Sequence, residues 1–300
     1  MSTYGRWLLA AAVAAVVPAG SQVVAQAAPA ADSSTGADVV VFGDSFASDE
    51  PLVSHEAVDD CVRSATSWPN QLKALTGLTG TGKFVDESCS GGSIDTGTGY
   101  TLTVQARLAA QAGAFGPDTK LVAVQLGMKD SWRNGTVDGP YSKMTACDGF
   151  DLSCLDTDQT WVTDDHGITG TAFADRMRKV VDYIRYYAPN ARIVLVGYPE
   201  EQAPGTTTLC QKVGPVSIPV PYAPMTGYLD WLDKAQREAA GLLGAEFLDV
   251  RALTAGHGLC APEPWVADVN PPDIGQPITL HPLPAGNTAV AEALASRVTG

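Results

Sequence analysis

Asp38-Val39-Val40-Val41-Phe42-Gly43-Asp44-Ser45-Phe46 is the stretch on which the fold turns. Three valines and a phenylalanine follow one another without a polar interruption, so both faces of this strand must be buried; a strand with one wet face would alternate. Gly43 closes the run and the polar pair Asp44-Ser45 follows at once. Two later runs have the same form: Leu121–Leu126 (LVAVQL), closed by Gly127, and Arg192–Val196 (RIVLV), closed by Gly197. Lys83–Glu87 and Ala245–Val250 (AEFLDV) are weaker versions.

Between these runs the apolar period becomes helical. Ser67-Trp68-Pro69-Asn70 predicts a helix start, with Ser67 as cap and Pro69 in the first turn, where its missing N–H does no harm. Thr103–Ala114 is Ala-rich and helical in pattern. Thr171–Ala188 sets Phe173, Met177, Val180, Val181, Ile184 and Tyr187 on one face and stops at Pro189. Met225–Leu243 and Gly286–Val298 predict two more helices. Strands alternating with helices imply a parallel sheet covered on both faces, an α/β protein of three α/β/α layers. No linker or repeat divides residues 38–300, which are expected to form one domain. Residues 131–170 and 199–224 read as long irregular excursions that shape a pocket.

Hydrophobic residues make up 45% of the 300, enough for a core of that size, and charged residues only 17%, too few for a disordered chain. The net charge of −14 would repel nucleic acid and anionic membrane surfaces, so neither is expected as a partner. At the N-terminus, Arg6 precedes an uncharged apolar run from Trp7 to Val17, which Pro18 and Gly20 break. Small-residue sites follow at Ala25-Gln26-Ala27 and Ala28-Pro29-Ala30, the layout of a signal peptide over residues 1–27 with cleavage near 27–30. The run is too short to cross roughly 30 Å of hydrocarbon. A secreted, extracellular monomer without a transmembrane segment is expected. In an oxidising compartment the six cysteines read as disulfides, and short loops favour the pairs Cys61–Cys89, Cys147–Cys154 and Cys210–Cys260. No C-x-x-C pair supports a metal reading, and no metal or cofactor is expected.

Open parallel sheets carry their chemistry at the carboxyl ends of the strands. There stand Gly43-Asp44-Ser45-Phe46, Cys89-Ser90-Gly91-Gly92 and Gly127-Met128-Lys129-Asp130. A hydroxyl, a Gly-rich turn with free amides and a polar triplet are the parts acyl transfer needs. Ser45 is the candidate nucleophile, and the amides of Ser45 and Gly91 are candidate oxyanion donors. Of the four histidines, His55, His166 and His257 lie in loops, whereas His281, just before the C-terminal helix, reaches the same edge and is the candidate base.

These blocks resemble the SGNH, or GDSL-type, hydrolases. Asp44-Ser45 within GDSF is similar to the first block, Ser90-Gly91 to the second, Gly127-x-x-Asp130 to the third and His281-Pro282 to the last. Cys61-Val62-Arg63-Ser64, Trp68-Pro69 and Cys89-Ser90-Gly91 resemble the secreted actinobacterial lipases and esterases of that family, with their three disulfides. The resemblance implies a flavodoxin-like α/β/α fold and hydrolysis of carboxylic esters. It implies Ser45 as nucleophile, His281 as base, and the amides of Ser45 and Gly91 in the oxyanion hole.

Two positions depart from the pattern. Lys129 stands where the third block has Asn, whose amide supports the oxyanion; an ammonium can donate there, or Asp130 can capture it. Ile278 stands where the triad Asp belongs. The carbonyl of Thr279 is then the expected orienter of His281, giving a Ser–His dyad, with Asp268 or Asp273 as the alternative acid. Gly77–Lys83 nearly matches a P-loop, but Phe84 replaces its Ser/Thr. The expectation is an esterase or lipase acting on a small-molecule or lipid ester. The rivals are a catalytically weak binder of a lipid, glycan or cell-wall ester, and an acyltransferase using the same site.

Overall fold

The computed structural model describes residues 35–50, 61–97, 99–132, 167–213, 215–221, 223–268 and 278–299. All belong to one compact unit, Ser34–Gly300. The leader, and the Cys147–Cys154 pair, lie outside the described residues.

Five parallel strands form the central sheet: β1 (Val39–Gly43), β2 (Phe84–Asp86), β3 (Leu121–Gln125), β4 (Arg192–Val196) and, from further along the chain, β7 (Glu246–Leu248). Their order is β2-β1-β3-β4-β7, the doubly wound order with its switch point between β1 and β3. β1 runs in register with β3 from Val39 opposite Leu121 to Gly43 opposite Gln125. Every residue of β1 and β3 is buried, as their uninterrupted apolar runs require.

Helices cover both faces. On one face the core holds Val40, Phe42, Val122, Val124, Ile193 and Leu195 with the helices α3 (Leu102–Gln111), α4 (Gly170–Tyr187) and α5 (Ala223–Leu243). On the other, Val39, Val41, Leu121, Ala123, Val194 and Val196 pack on α2 (Trp68–Leu75) and α7 (Pro284–Thr299). Two short helices, α1 (Ser45–Ser48) and α6 (Val250–Leu253), follow β1 and β7.

The helix starts show where local chemistry was read correctly and where it was not. Ser67 is the N-cap residue of α2, but its hydroxyl makes no cap bond and is buried without a partner; the cap is its carbonyl, which accepts from Gln71 N–H at 3.0 Å. Thr101 and Thr169 do cap with their hydroxyls, so α3 and α4 each begin one residue earlier than the apolar pattern suggests. In α4, Phe173, Met177, Val181 and Ile184 are buried, each contributing roughly 1.5–3 kcal/mol. Tyr187 does not join them and is half exposed beside Tyr183 and Tyr186.

Within residues 199–224 the chain is more regular than its composition suggests. β5 (Thr208–Val213) and β6 (Val216–Pro221) form an antiparallel hairpin outside the main sheet. Pro219 and Pro221 obscured it, because proline disqualifies a central strand; in a two-stranded ribbon every strand is an edge. Two disulfides tie the loops down: Cys61–Cys89, and Cys210–Cys260.

Candidate active site

β1 delivers Ser45 to the carboxyl edge of the sheet. Asp44 caps α1, its Oδ1 accepting from Phe46 N–H at 2.9 Å, and its carbonyl accepts from Ala47 and Ser48 N–H at 3.1 and 3.0 Å. The side chain of Gln105 grips Gly43 from both sides. Its Oε1 accepts from Gly43 N–H at 2.8 Å and its Nε2 donates to Gly43 O at 3.0 Å. The direction of Ser45 is therefore fixed by a fully bonded strand end.

The histidine arrives from the other end of the chain. Ala267 N–H donates to His281 O at 2.9 Å, Leu280 N–H to Ala267 O at 3.1 Å, and Leu283 N–H to Trp265 O at 2.7 Å. Leu280 has φ +63°, a left-handed conformation that costs a non-glycine residue roughly 1–2 kcal/mol. That turn folds the Thr279 carbonyl back under its own histidine. His281 Nδ1 lies 2.8 Å from Thr279 O, and Nε2 lies 2.7 Å from Ser45 Oγ. A carbonyl only accepts, so Nδ1 carries the proton and Nε2 presents its lone pair to the serine hydroxyl. Phe46 stacks on the imidazole with centroids 4.1 Å apart. Burial pushes the His281 pKa down to about 4; the Thr279 carbonyl opposes this and the Lys129 charge adds to it.

Nδ1 is thus engaged by Thr279 O, and Asp273 lies outside the described residues. His257 stacks on Trp265 at 3.7 Å and bonds Glu263 O through Nδ1, away from Ser45. His55 and His166 lie outside the described residues.

The second block sits directly on the end of β1. Cys89 N–H donates to Gly43 O at 3.1 Å, and a Cβ on Gly92 would come within 2.5 Å of that same oxygen, so glycine is required there. Gly91 has φ +82°. Among the described residues, the amides of Ser45 and Gly91 have no acceptor.

The third block is a turn held by Asp130, not by Lys129. Asp130 accepts from Ile94 N–H at 2.8 Å, Asp95 N–H at 3.3 Å, Thr96 Oγ1 at 3.0 Å and Arg176 Nη2 at 2.7 Å. Its oxygens are fully engaged, so it does not capture Lys129. Lys129 makes no ion pair or hydrogen bond among the described residues, and its charge is felt at both Asp44 and His281. No three His, Cys, Asp or Glu side chains among the described residues gather as a metal site would need.

Sequence reasoning missed the residues that lash the strand ends together. Gln125, the polar residue inside LVAVQL, accepts from Trp68 Nε1 at 2.8 Å and donates to Gly197 O at 2.7 Å. A glutamine in an otherwise apolar strand was the available signal. Asn287 Nδ2 donates to Asp49 Oδ2 at 2.9 Å, tying α7 to α1, and burial pushes the Asp49 pKa up to about 7. Tyr198, two residues past β4, bonds Asp44 Oδ2 at 2.6 Å.

A doubly wound parallel sheet with a hydroxyl, a neutral imidazole and free amides gathered at its carboxyl edge is the arrangement of a carboxylic ester hydrolase. Residues 41–289 match the model of the GDSL-like Lipase/Acylhydrolase family, and the chain belongs to that family. It is 29% identical over 280 residues to Lipase 1 of Streptomyces coelicolor, covering 91% of each chain. Its fold is similar to the crystal structure of an extracellular lipase from Streptomyces rimosus, with TM-score 0.59 and 22% identity over 86% of this chain and 99% of that one. It is similar also to phospholipase A1 from Streptomyces albidoflavus, with TM-score 0.58 and 20% identity over 86% and 99%.

Proposed function

We propose that the chain is an exported serine esterase or lipase that works through an acyl-enzyme on a small-molecule or lipid ester. The observation that carries this reading is the 2.7 Å approach of His281 Nε2 to Ser45 Oγ. Nε2 takes the serine proton as Oγ attacks the ester carbonyl. The amides of Ser45 and Gly91 receive the oxyanion, with the Lys129 ammonium in the place of the family's Asn. Collapse expels the alcohol, which leaves with the proton from Nε2. Water then attacks the acyl carbonyl by the same route, with His281 again as base.

Thr279 O holds the imidazole in its working tautomer through both steps. It brings no negative charge to offset the imidazolium, and the Lys129 charge disfavours that cation further. A Ser–His dyad of this kind relies on the oxyanion side, where the same lysine charge is favourable. Export is supported by the signal-like leader and by two disulfides, which persist only under oxidising conditions. No helix among the described residues is long and apolar enough to cross a membrane.

Ser45→Ala is expected to abolish hydrolysis of short p-nitrophenyl esters, and a serine-directed fluorophosphonate to label Ser45 in the wild type. Full activity in Ser45→Ala, or no labelling at neutral or alkaline pH, would overturn the reading.

A further inference from the structure

We infer that Tyr198 is a positioning residue for ester hydrolysis: its hydroxyl ties the nucleophile turn to the turn that carries Lys129, and its ring backs the stack under His281. The inference rests on the serine-hydrolase reading above and deepens it.

Tyr198 is 6% exposed and stands two residues beyond β4. β4 is not a neighbour of β1; β3 lies between them. The tyrosine therefore reaches across the end of β3 to the nucleophile turn. On the way its hydroxyl oxygen accepts from Met128 N–H at 3.0 Å, and its proton goes to Asp44 Oδ2 at 2.6 Å. One oxygen thus joins the ends of three strands. The other oxygen of Asp44 accepts from Phe46 N–H, so donation converges on the carboxylate from both sides: from the Met128 amide through the phenol, and from the amide of the nucleophile turn. Asp44 is completely buried, and no solvent can stand in for a lost partner.

The ring completes the link. Its edge meets Phe46 at 4.9 Å and 82°, and Phe46 in turn lies against His281 at 4.1 Å and 21°. On the far side of the third-block turn, the Tyr228 hydroxyl donates to Met128 O at 2.7 Å. The Met128 peptide is thereby held at its N–H by one tyrosine and at its carbonyl by another. Lys129 follows directly, and because its side chain has no partner among the described residues, the placement of its backbone matters the more. Removing the Tyr198 hydroxyl releases the anchor on the amide side and loosens Asp44 at the same moment.

A residue that merely fills the core would change the melting temperature and leave the kinetic constants in proportion. A positioning residue changes the rate of the bound substrate, since displacements near 1 Å are enough to cost about 100-fold. The test is steady-state hydrolysis of p-nitrophenyl butyrate by wild type, Tyr198→Phe, Asp44→Asn and the double variant, with thermal melts alongside. Tyr198→Phe keeps both ring contacts and is expected to lose about 10- to 100-fold in kcat with KM within threefold. The double variant is expected to be no slower than the slower single variant, because both cut one link. A Tyr198→Phe kcat within twofold of wild type, or losses that multiply in the double variant, would overturn the inference. Should Tyr198→Phe not melt cooperatively, Asp44→Asn decides alone, and wild-type kcat in that variant overturns it. Fluorophosphonate labelling of wild-type Ser45 reports separately on the serine-hydrolase reading.

Discussion

In the proposed mechanism His281 acts as base only while neutral, and its surroundings keep it so. Burial and the Lys129 charge both disfavour the imidazolium, setting the pKa to about 4 in place of the ordinary value near 6.5. The final acid limb of kcat/KM is therefore expected near pH 4, after a first decline as Asp44, pushed up to about 7 by burial, is protonated and its bond to Tyr198 is disturbed. Lys129 links this limb to turnover. On the proposed mechanism Lys129→Ala removes one oxyanion donor, an expected loss of ~10²–10³ in kcat, and it removes a charge that depresses His281, so the acid limb should move toward neutral pH. Lys129→Asn should recover most of the rate while sharing the moved limb. A pH–rate series on the three proteins checks both halves, and indistinguishable profiles would exclude Lys129 from the site.

At the scale of elements, the two described disulfides pin different parts of the chain. Cys61–Cys89 fixes the segment leading into α2 against the second block, and Cys210–Cys260 fixes β5 to the loop after α6. They close loops of 28 and 50 residues, worth about 3.5 and about 4 kcal/mol by loop entropy. Replacing Cys61 and Cys89 together by serine should cost stability of that order and also lower kcat, because Cys89 N–H anchors Gly43 and Gly91 is two residues on. Replacing Cys210 and Cys260 should cost stability with less effect on kcat; denaturant titration and turnover separate the two. The strands of the main sheet were legible because burial on both faces leaves an uninterrupted apolar run. The β5–β6 hairpin was not, since a solvated ribbon carries no such run and its prolines argue the other way. Ser45, Gly91, Lys129 and His281 could be picked out as block residues beside strand ends or ahead of a helix. Gln125 left one mark, a polar residue inside an apolar strand; Tyr198 and Gln105 left none, because bonds across 154 and 62 residues of sequence have no local spacing.

For the molecule as a whole, buried acids set the response to pH. Burial pushes Asp44 and Asp49 up to about 7 and Glu201 to about 8; both Glu201 oxygens are without a hydrogen bond among the described residues. Unfolded, these groups titrate near pH 4, so between about 4 and 8 the folded state holds protons that the unfolded state has released. Their contribution to stability is full below about pH 4 and is lost as pH rises through 7 to 8. His281 acts the other way between about 4 and 6.5, but it is one group against these three, and burial also raises Asp86, Glu87 and Asp130. Calorimetry should therefore find a higher Tm at pH 5 than at pH 8. Glu201→Gln should raise the pH 8 value most; a Tm that climbs from pH 5 to 8 would contradict the assignment.

The bond between Ser45 and His281 spans 236 residues, from the end of the first strand to the threshold of the last helix. Neither residue has a working partner until the whole sheet has been laid down between them. A chain still being made has its serine but not its histidine, and a misassembled one has both but not together. On the proposed mechanism the hydrolase is thus its own zymogen: completion of folding takes the place of a cleaved propeptide, and esters around an unfinished chain are safe from it.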